Sequence, residues 1–491
     1  MPTTDNQSIP AAVAEVRRQL AAAARSGMLM RLDPCEQSDL LADALGVVAV
    51  FDDSVSNHHL GSMFDRQNSS PINRTLAAVQ DAYGAAHTFL STSGTSALNA
   101  AAVASLAGPG EEIIVDRGCH RSVMAGLIHG GARPCWLVPP YDAEAGVLLP
   151  LSVAEVEAAL HNHPAAKAVV LTRPTYEGLV ADLLPIVAAC RQRGVALMVD
   201  EAHGPHFHFL QDLGFPLDGV SAGADLVTHS THKVLSALNQ GSLLHVRDSR
   251  LAERYEATQG LGFQSTSFSY PILASVEHAV LQMVEEGEWQ WRRAIADAAR
   301  LRSGLARLPG LDLLSPTRFD TARVSGADPT RVTVNVRGLG LFGWQVADLL
   351  AMRGVDVEMA SLDTVLFLIG PAHSATVDAI LAGFDAVVAE RTTPRPSRPV
   401  SIPAPWVIVP PREAFYAKRR RRVSRDAAVG HVAAEMIGAY PPGRIVIGPG
   451  ERVTAKAVAC LEEIVAAGGH ILRARDDGFR TIEIVETLWV A

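Results

Sequence analysis

The stretch LMVDEAHGPHFHFLQDLGFPLDGVSAGADLVTHSTHK, residues 197–233, decides the fold. It contains two apolar runs, LMV and LV, and each run ends in a group of polar residues. Such runs are typical of buried strands in a parallel sheet. The carboxyl ends of these strands form the edge at which open α/β sheets bind ligands. We therefore expect five side chains at one ligand-binding edge: Asp200, His203, Ser230, His232 and Lys233.

An acid and a lysine at the same sheet edge indicate a cofactor that needs a covalent anchor and a counter-charge. Pyridoxal phosphate has both needs, because its aldehyde takes a lysine amine and its ring nitrogen needs an acid to hold a proton. We therefore predict Lys233 as the Schiff-base lysine and Asp200 as the partner of the ring nitrogen. Either residue alone would be better explained as an ordinary solvated residue at a strand end.

The segment STSGTS, residues 91–96, lies between a predicted strand and an Ala-rich helix and predicts a phosphate site. Amides at a helix N-terminus, freed by Gly94 and joined by the hydroxyls of Thr95 and Ser96, would point donors at an anion. The simpler alternative is an ordinary helix N-cap. Together with Ser230 and His232 beside the lysine, the segment is expected to form a phosphate cup.

Histidines add two further hypotheses. His120 follows a strand on the same side of the sheet and could stack on a pyridine ring, although a loop histidine is also often a surface residue. His203, His206 and His208 suggest a metal, but their spacing matches no familiar zinc pattern and Gly-Pro interrupts the helix that would align them. We therefore expect no metal, and expect His203 to contact the cofactor or substrate.

Composition limits the class of protein. The chain has 491 residues, of which 48% are hydrophobic and 19% charged, as in a globular α/β enzyme. The net charge of −9 argues against nucleic acid as a partner, so the basic run KRRRR at 418–422 is interpreted as a solvated helix face near an acidic patch. The five cysteines form no CxxC pair.

The N-terminus resembles an amphipathic helix rather than a signal peptide, and no apolar run reaches the ~20 residues that span a bilayer. The expected location is cytoplasmic, without a membrane partner. Regular alternation of strands and helices predicts a mostly parallel sheet covered by helices. The predicted units are N-terminal helices and an arm (1–72), a large cofactor-binding domain (73–310), a small α/β domain (311–391) and a C-terminal domain (392–491).

Several segments resemble the ornithine/lysine/arginine decarboxylase family of fold-type-I pyridoxal phosphate enzymes. They are TSGTSALNA, VDRGCHRSV, RPTYEGLVADL, VDEAHGPHFHF and HSTHKVLSALNQGSLLHV, with VPPREAFYA, AAEMIGAYPPG and PGERVT nearer the C-terminus. The resemblance implies an aspartate-aminotransferase-like fold, pyridoxal phosphate as cofactor and decarboxylation of arginine, lysine or ornithine. It also implies a homodimer or larger homo-oligomer with its active site at the interface.

Carried over residue by residue, the resemblance implies Lys233 as the Schiff-base lysine, Asp200 at the ring nitrogen, His120 stacked on the ring and His203 beside the cofactor. It implies phosphate-side contacts from Thr95, Ser96, Ser230 and His232.

Two departures border the substrate pocket of such enzymes. A PGHK-like motif is missing from the arm at 51–71, and the usual YPPGIP reads YPPGRI. Other functions on the same fold are therefore also considered. In an aminotransferase or oxidase, Arg173 or Arg331 would hold the substrate carboxylate. The remaining alternatives are a lyase that breaks a different bond and a regulatory protein of this fold. For a basic substrate, the acid that holds the distal cation is expected to be Asp52, Asp53 or Glu451.

Overall fold

A computed structural model describes residues 71–265, 268–371, 374–397, 403–440, 444–472 and 478–486. The helices predicted at 11–25 and 37–46 lie outside these residues, as does the arm at 51–71 except for its last residue. Most of the YPPG turn at 440–443 also falls outside them.

A seven-stranded sheet forms the centre of the large domain, in the order β1-β10-β9-β8-β6-β2-β3. Only β10 runs antiparallel to its neighbours, so the prediction of a mostly parallel α/β sheet is confirmed. The strands are β1 (His87–Ser91), β2 (Glu112–Asp116), β3 (Arg133–Leu137), β6 (Ala168–Thr172), β8 (Ala196–Asp200), β9 (Leu226–His229) and β10 (Ser242–Val246). Two short pairs flank this sheet: β4 (Tyr141–Asp142) with β5 (Val147–Leu148), and β7 (Leu179–Val180) with β12 (Gly326–Ala327).

Helices cover both faces of the sheet, which explains why strand residues are apolar without alternation. In β8, for example, Leu197, Met198 and Val199 are all fully buried. Separate apolar clusters lie on the two faces. The helices are α1 (Pro71–Ala82), α2 (Gly94–Leu106), α3 (Arg121–Gly130), α4 (Val153–Asn162), α5 (Leu183–Gln192), α6 (Thr231–Val234) and α7 (Ser249–Gln259).

The Ala-rich helix α2 is apolar on nearly every side and is correspondingly buried. It packs closely on α3 at Gly126, where an added Cβ would lie 2.6 Å from the Cβ of Val103. This close contact fixes the start of α2 against the sheet edge that carries the polar residues.

The long helix α8 (Tyr270–Leu305) connects the large domain to a second sheet. The sequence predicts that this helix begins at about residue 275, and it begins five residues earlier. That sheet has the order β11-β13-β15-β14, and its strands are all antiparallel, so the small domain is α+β. None of the described helices is both long and apolar enough to cross a membrane. The elements are β11 (Asp312–Leu313), β13 (Arg331–Asn335), α9 (Gly343–Ala351), β14 (Met359–Ala360), β15 (Thr364–Leu368) and α10 (Ser374–Ala389).

The C-terminal region forms two small sheets with its own apolar cluster. The basic run was predicted as a helix face, and this is wrong: Arg420 begins a strand, β16, that pairs with β20. Its arginines form ion pairs with acids of adjacent segments, including Glu435 and Glu483. The elements are α11 (Pro411–Phe415), β16 (Arg420–Ser424), α12 (Arg425–Ala428), β17 (Ile437–Tyr440), β18 (Arg444–Ile447), α13 (Ala455–Ala466), β19 (His470–Leu472) and β20 (Thr481–Val485).

A buried ion pair joins the C-terminal region to the large domain. Arg117 follows β2, and its two terminal nitrogens donate to the two carboxylate oxygens of Glu451 at 2.6 and 2.8 Å. The guanidinium also donates to the carbonyl of Val446 and lies over the ring of Trp136. Both charges are almost completely excluded from solvent, so each depends on the other for compensation.

We expect Glu451→Gln to lower the free energy of unfolding by about 3–5 kcal/mol, because it leaves a buried arginine without its counter-charge. Urea denaturation followed by fluorescence measures the change. The matched control is Glu288→Gln, which breaks an exposed pair with Arg292 and should change stability by about 0.5 kcal/mol or less. Equal effects from the two substitutions would contradict the role given to the buried pair.

Candidate active site

A cavity of about 600 Å³ opens at the carboxyl edge of the central sheet, beside the ends of β2, β6, β8 and β9. All nine residues predicted from the sequence as catalytic groups or cofactor contacts lie on its wall. They are Gly94, Thr95, Ser96, His120, Asp200, His203, Ser230, His232 and Lys233. The structure therefore brings together residues from four separate segments, as the edge of a parallel sheet should.

Asp200 ends β8 and is almost completely buried in the cavity wall. Asn99 donates to its Oδ2 at 2.8 Å, and the amide of Ala202 donates to its Oδ1 at 3.2 Å. Thr228 in turn orients Asn99 by donating to its side-chain oxygen at 2.8 Å. These donors are neutral, and no ion pair among the described residues involves Asp200. The buried carboxylate is therefore suited to a cationic group that enters the cavity.

The side chains of Lys233, His203 and Arg331 are linked in that order by hydrogen bonds between their nitrogen atoms. Arg331 lies 3.0 Å from Nδ1 of His203 and can only donate, so Nδ1 accepts. The neutral ring then carries its proton on Nε2, which lies 3.0 Å from Nζ of Lys233. Because Nε2–H must donate, the amine must offer its lone pair. The geometry therefore specifies Lys233 as a neutral amine, the form that attacks an aldehyde.

Burial and local charge act in the same direction as this geometry. Removal from water lowers the pKa of Lys233, and the positive charge of Arg331 lowers it further, while Asp200 opposes both. The pKa of His203 falls well below its ordinary value, first because of burial and then because of Lys233 and Arg331. Both shifts favour the uncharged form of the group.

The N-terminus of α2 forms another part of the wall. Gly94 adopts a positive φ of 78°, which lets the chain turn sharply from β1 into the helix. The hydroxyl of Thr95 is bonded to those of Ser230 and Ser242, at 2.6 and 2.9 Å. Ser96 is exposed, and amides of the first helical turn lack partners within the helix. The anion donors here are thus Ser96 and the backbone, with the Thr95 hydroxyl bracing the turn.

The two remaining histidines have defined tautomers. Nδ1 of His232 lies 2.8 Å from the carbonyl of Gly241, so it carries the proton and leaves Nε2 as an acceptor. His120 is the N-cap of α3, and its Nδ1 accepts from the amide of Ser122. Burial lowers the pKa of both rings. His232 would donate to a phosphate only after gaining a proton.

The histidines of HGPHFHF separate in space and form no common metal site. His206 is paired with Asp328 and His208 with Asp218, at 3.1 and 3.2 Å, while His203 faces the lysine. Each acid binds its own histidine, which holds the pKa of both carboxyl groups below the usual range despite their burial.

Two arginines that could have held a substrate carboxylate are already engaged. Arg173 donates to Glu201 at 2.8 Å and to the carbonyl of Ala181. Arg331 is bound to Asp328, to the carbonyl of Tyr176 and to His203. Both guanidinium groups are buried and are therefore not available as carboxylate clamps.

The wall also contains residues that were not predicted, among them the polar residues Asn99, Asp116, Tyr176 and Arg444. Asp116 ends β2 at the same edge as Asp200, and burial raises its pKa to about 6. The strand EEIIVD carried the signal for it, because its last residue is an acid after an apolar run. Arg444 is the arginine of YPPGRI, and it pairs with Glu177 at 3.3 Å.

The expected acids for a distal cation fare differently. Glu451 does not line the cavity, and its carboxylate is occupied by Arg117, so that expectation is not supported. Asp52 and Asp53 lie outside the described residues.

The wall as a whole fits pyridoxal phosphate. It offers a neutral lysine amine, a buried carboxylate without a cation and a helix N-terminus that can receive an anion. Each of these matches one functional group of the cofactor: aldehyde, ring nitrogen and phosphate.

Comparison with known proteins gives a consistent picture. Residues 25–377 match the Orn/Lys/Arg decarboxylase major domain, and residues 403–468 match the C-terminal domain of the same family. An arginine decarboxylase of Halalkalibacterium halodurans is 32% identical over 418 residues, covering 83% of this chain and 83% of the relative. An arginine decarboxylase of Bacillus subtilis is 30% identical over 413 residues, covering 83% and 84% respectively.

Among solved structures, the constitutive lysine decarboxylase of Escherichia coli superposes with a TM-score of 0.76 at 21% identity. The match covers 96% of this chain and 82% of that one. At this identity the likeness shows a shared fold.

In protein stripped of bound cofactor, we expect Lys233 to react with an amine-selective reagent with a pH midpoint below 10.5, the ordinary value for lysine. The reason is that burial and Arg331 disfavour the ammonium form. Competitive labelling with peptide mapping measures the midpoint at each lysine, with exposed Lys167 as internal reference. A midpoint for Lys233 at or above 10.5 would contradict the neutral amine derived from the hydrogen bonds.

Proposed function

The chain belongs to the Orn/Lys/Arg decarboxylase family, and from that premise we propose that it decarboxylates arginine, releasing the corresponding amine and carbon dioxide. It is a lyase that acts on a basic amino acid. The observation that carries the assignment is the pairing, in one cavity, of the neutral amine of Lys233 with the buried, cation-free carboxylate of Asp200. Arginine is favoured among the basic amino acids because two relatives that are at least 30% identical and cover 83% of this chain are arginine decarboxylases.

Pyridoxal phosphate, when bound, supplies an aldehyde for the substrate amine and a ring that draws electrons from the bond to be broken. Lys233 would hold the aldehyde through Nζ, while Ser96 and the amides at the start of α2 would bind the phosphate. Asp200 would keep a proton on the ring nitrogen, and Asn99 keeps its carboxylate in place by donating to Oδ2. His120 would cover one face of the ring.

Proton transfer falls to the pair formed by Lys233 and His203. The amine is held neutral, so it can take a proton from the incoming substrate amine, and it can return one to the α-carbon after carbon dioxide leaves. His203 donates through Nε2 and so directs the lone pair of Nζ. Arg331 keeps the imidazole from rotating, because it binds Nδ1 on the other side.

The charges around the cavity favour loss of the carboxylate over transamination. An aminotransferase would hold the substrate carboxylate with a free arginine, but Arg173 and Arg331 are buried and donate to protein acceptors. Arg444 lines the cavity as well, and Glu177 faces it at 3.3 Å. A carboxylate that receives no strong cationic partner is destabilised in its ionised form and leaves more readily.

Glu358 is the proposed acceptor for the distal guanidinium of the substrate. It lies at the start of the small-domain strand β14, is exposed, and accepts from the hydroxyl of Tyr176 at 2.9 Å. Tyr176 is part of the cavity wall, and its ring contacts that of His203. The negative charge of Glu358 also reaches the site, since it raises the pKa of Lys233. Glu358 is exposed and bonded to Tyr176 of the cavity wall, a position that suits the cation at the far end of a long substrate side chain.

A homo-oligomer with active sites at subunit interfaces is also part of this proposal. Val284 and Trp289 on α8 are largely exposed and form an apolar surface next to the end of α1. Such a surface suits a second copy of the chain. We further propose that the enzyme acts in the cytoplasm and that its amine product is a precursor of polyamines.

The function is tested by product analysis with arginine, lysine and ornithine. We expect one carbon dioxide per amine formed, with arginine used best, and neither keto acid nor oxygen uptake. Lys233→Ala should reduce turnover by about 10²–10⁴-fold, because the proton donor is lost, whereas Lys456→Ala, at an exposed helix position, should not change it. Formation of a keto acid or consumption of oxygen with a basic amino acid would refute the decarboxylase assignment.

The role of Glu358 has its own test. Glu358→Gln is expected to lower kcat/KM for arginine about tenfold, mainly through KM, because a charge-assisted hydrogen bond is lost. Activity on norleucine, which has no distal cation, should stay the same. Glu390→Gln, at another exposed acid of the small domain, is the control. An equal loss on arginine and norleucine would show that Glu358 does not read the distal group.

A further inference from the structure

Glu112, Cys135 and His163 converge on one point outside the active site. Glu112 begins β2, Cys135 lies in the middle of the neighbouring strand β3, and His163 follows α4. One ligand atom of each residue, Oε2, Sγ and Nδ1, lies within 4.8 Å of the other two. Nδ1 is 3.3 Å from Sγ and 3.5 Å from Oε2. All three side chains are half-buried.

Hydrogen bonding alone satisfies this arrangement poorly. A single ring nitrogen, Nδ1 of His163, faces both the thiol and the carboxylate. If it accepts from the thiol it offers nothing to Glu112, and if it is protonated it must divide one hydrogen between two acceptors. A cation at the centre would bind a lone pair from each of the three atoms at once.

We propose that Glu112, Cys135 and His163 bind a divalent metal ion of the zinc class, with three protein ligands and one open position. Zinc takes sulfur at about 2.3 Å and nitrogen or oxygen at about 2.0–2.2 Å in tetrahedral geometry, which sets ligand-to-ligand distances of about 3.3–3.6 Å. The two separations from Nδ1, 3.3 Å to Sγ and 3.5 Å to Oε2, lie within a few tenths of an ångström of those edges. A mixed set of one thiolate, one imidazole and one carboxylate is also a ligand combination that zinc accepts.

Metal binding at this cluster requires the Cys135 thiol to lose its proton. A bound metal stabilises the thiolate, so the proton on Sγ leaves to solvent as the metal–sulfur bond forms.

The open position faces a groove of about 340 Å³. Its far wall is formed by residues 404–407, including Trp406, which lead into the C-terminal domain. The metal site is also separate from the catalytic cavity. Glu112 and Asp116 lie at opposite ends of β2, roughly 13 Å apart along the strand, and Asp116 is the one that lines the cavity. The bound ion would hold the edge strand β3 to β2 and to the turn after α4, with water in the fourth position.

The test uses the cofactor-loaded enzyme under reducing conditions, titrated with cobalt(II) and, separately, with zinc. Tetrahedral cobalt gives visible d–d bands at longer wavelength than the cofactor absorbs, and equilibrium dialysis counts the zinc. We expect one equivalent of either metal, with the tetrahedral cobalt spectrum, in the unmodified enzyme. Cys135→Ser and His163→Ala should each weaken zinc binding at least about tenfold, as expected from the loss of one ligand of three.

Cys460→Ser is the matched control, since Cys460 is another half-buried free thiol whose pKa is also raised by burial. It should bind metal like the unmodified enzyme. Decarboxylation should be unchanged in Cys135→Ser, while zinc should raise the thermal unfolding temperature of the unmodified enzyme and not of this variant. Absence of a tetrahedral cobalt spectrum, or its persistence in Cys135→Ser, would overturn the proposal. Either result leaves the proposed decarboxylase activity untouched, because that activity is measured separately.

Discussion

The guanidinium of Arg331 is the interaction on which the geometry of the active site depends. It begins the first long strand of the small domain, yet its nitrogens reach Asp328, the carbonyl of Tyr176 and Nδ1 of His203. By donating to Nδ1 it determines which nitrogen of His203 carries the proton, and hence that the amine of Lys233 must be neutral. Arg331 of the small domain thus determines the protonation state of Lys233 in the large domain. The site therefore requires that the two domains keep the contact between Arg331 and His203.

The buried carboxylates described here fall into two groups, those with a charged or ionisable partner and those with only neutral donors. Glu201, Asp328 and Glu451 each face a buried arginine or histidine, and these pairs hold segments together. Asp116 and Asp200, which both line the cavity, have only neutral donors among the hydrogen bonds described. Burying an acid without a cation is costly unless a ligand supplies the charge. The contrast therefore leaves Asp116 and Asp200 as the acids of the cavity wall that are suited to a cationic group.

Sequence reasoning located the cavity because strand ends are visible in a pattern of apolar runs, and all nine predicted residues line it. It missed Asn99, which sits inside an Ala-rich helix where nothing in the pattern marks it. It left Arg331 open as a holder of the substrate carboxylate in an aminotransferase or oxidase, since partners such as Asp328 and His203 become apparent only in three dimensions. The basic run was taken for a helix because charge alone does not distinguish the two periodicities, and pairing with β20 decided the outcome. The cluster of Glu112, Cys135 and His163 has no sequence spacing that would reveal it.

The antiparallel strand β10 has a consequence for how the chain acquires its structure. Strand β1 pairs with β10, which is synthesised about 150 residues later, so this pairing cannot form until β10 is present. The turn that receives the phosphate follows β1, and the lysine precedes β10, so both halves of the cofactor site are completed by the same late pairing. We therefore expect the cofactor site to be complete only after β10 has been synthesised and has paired with β1 and β9.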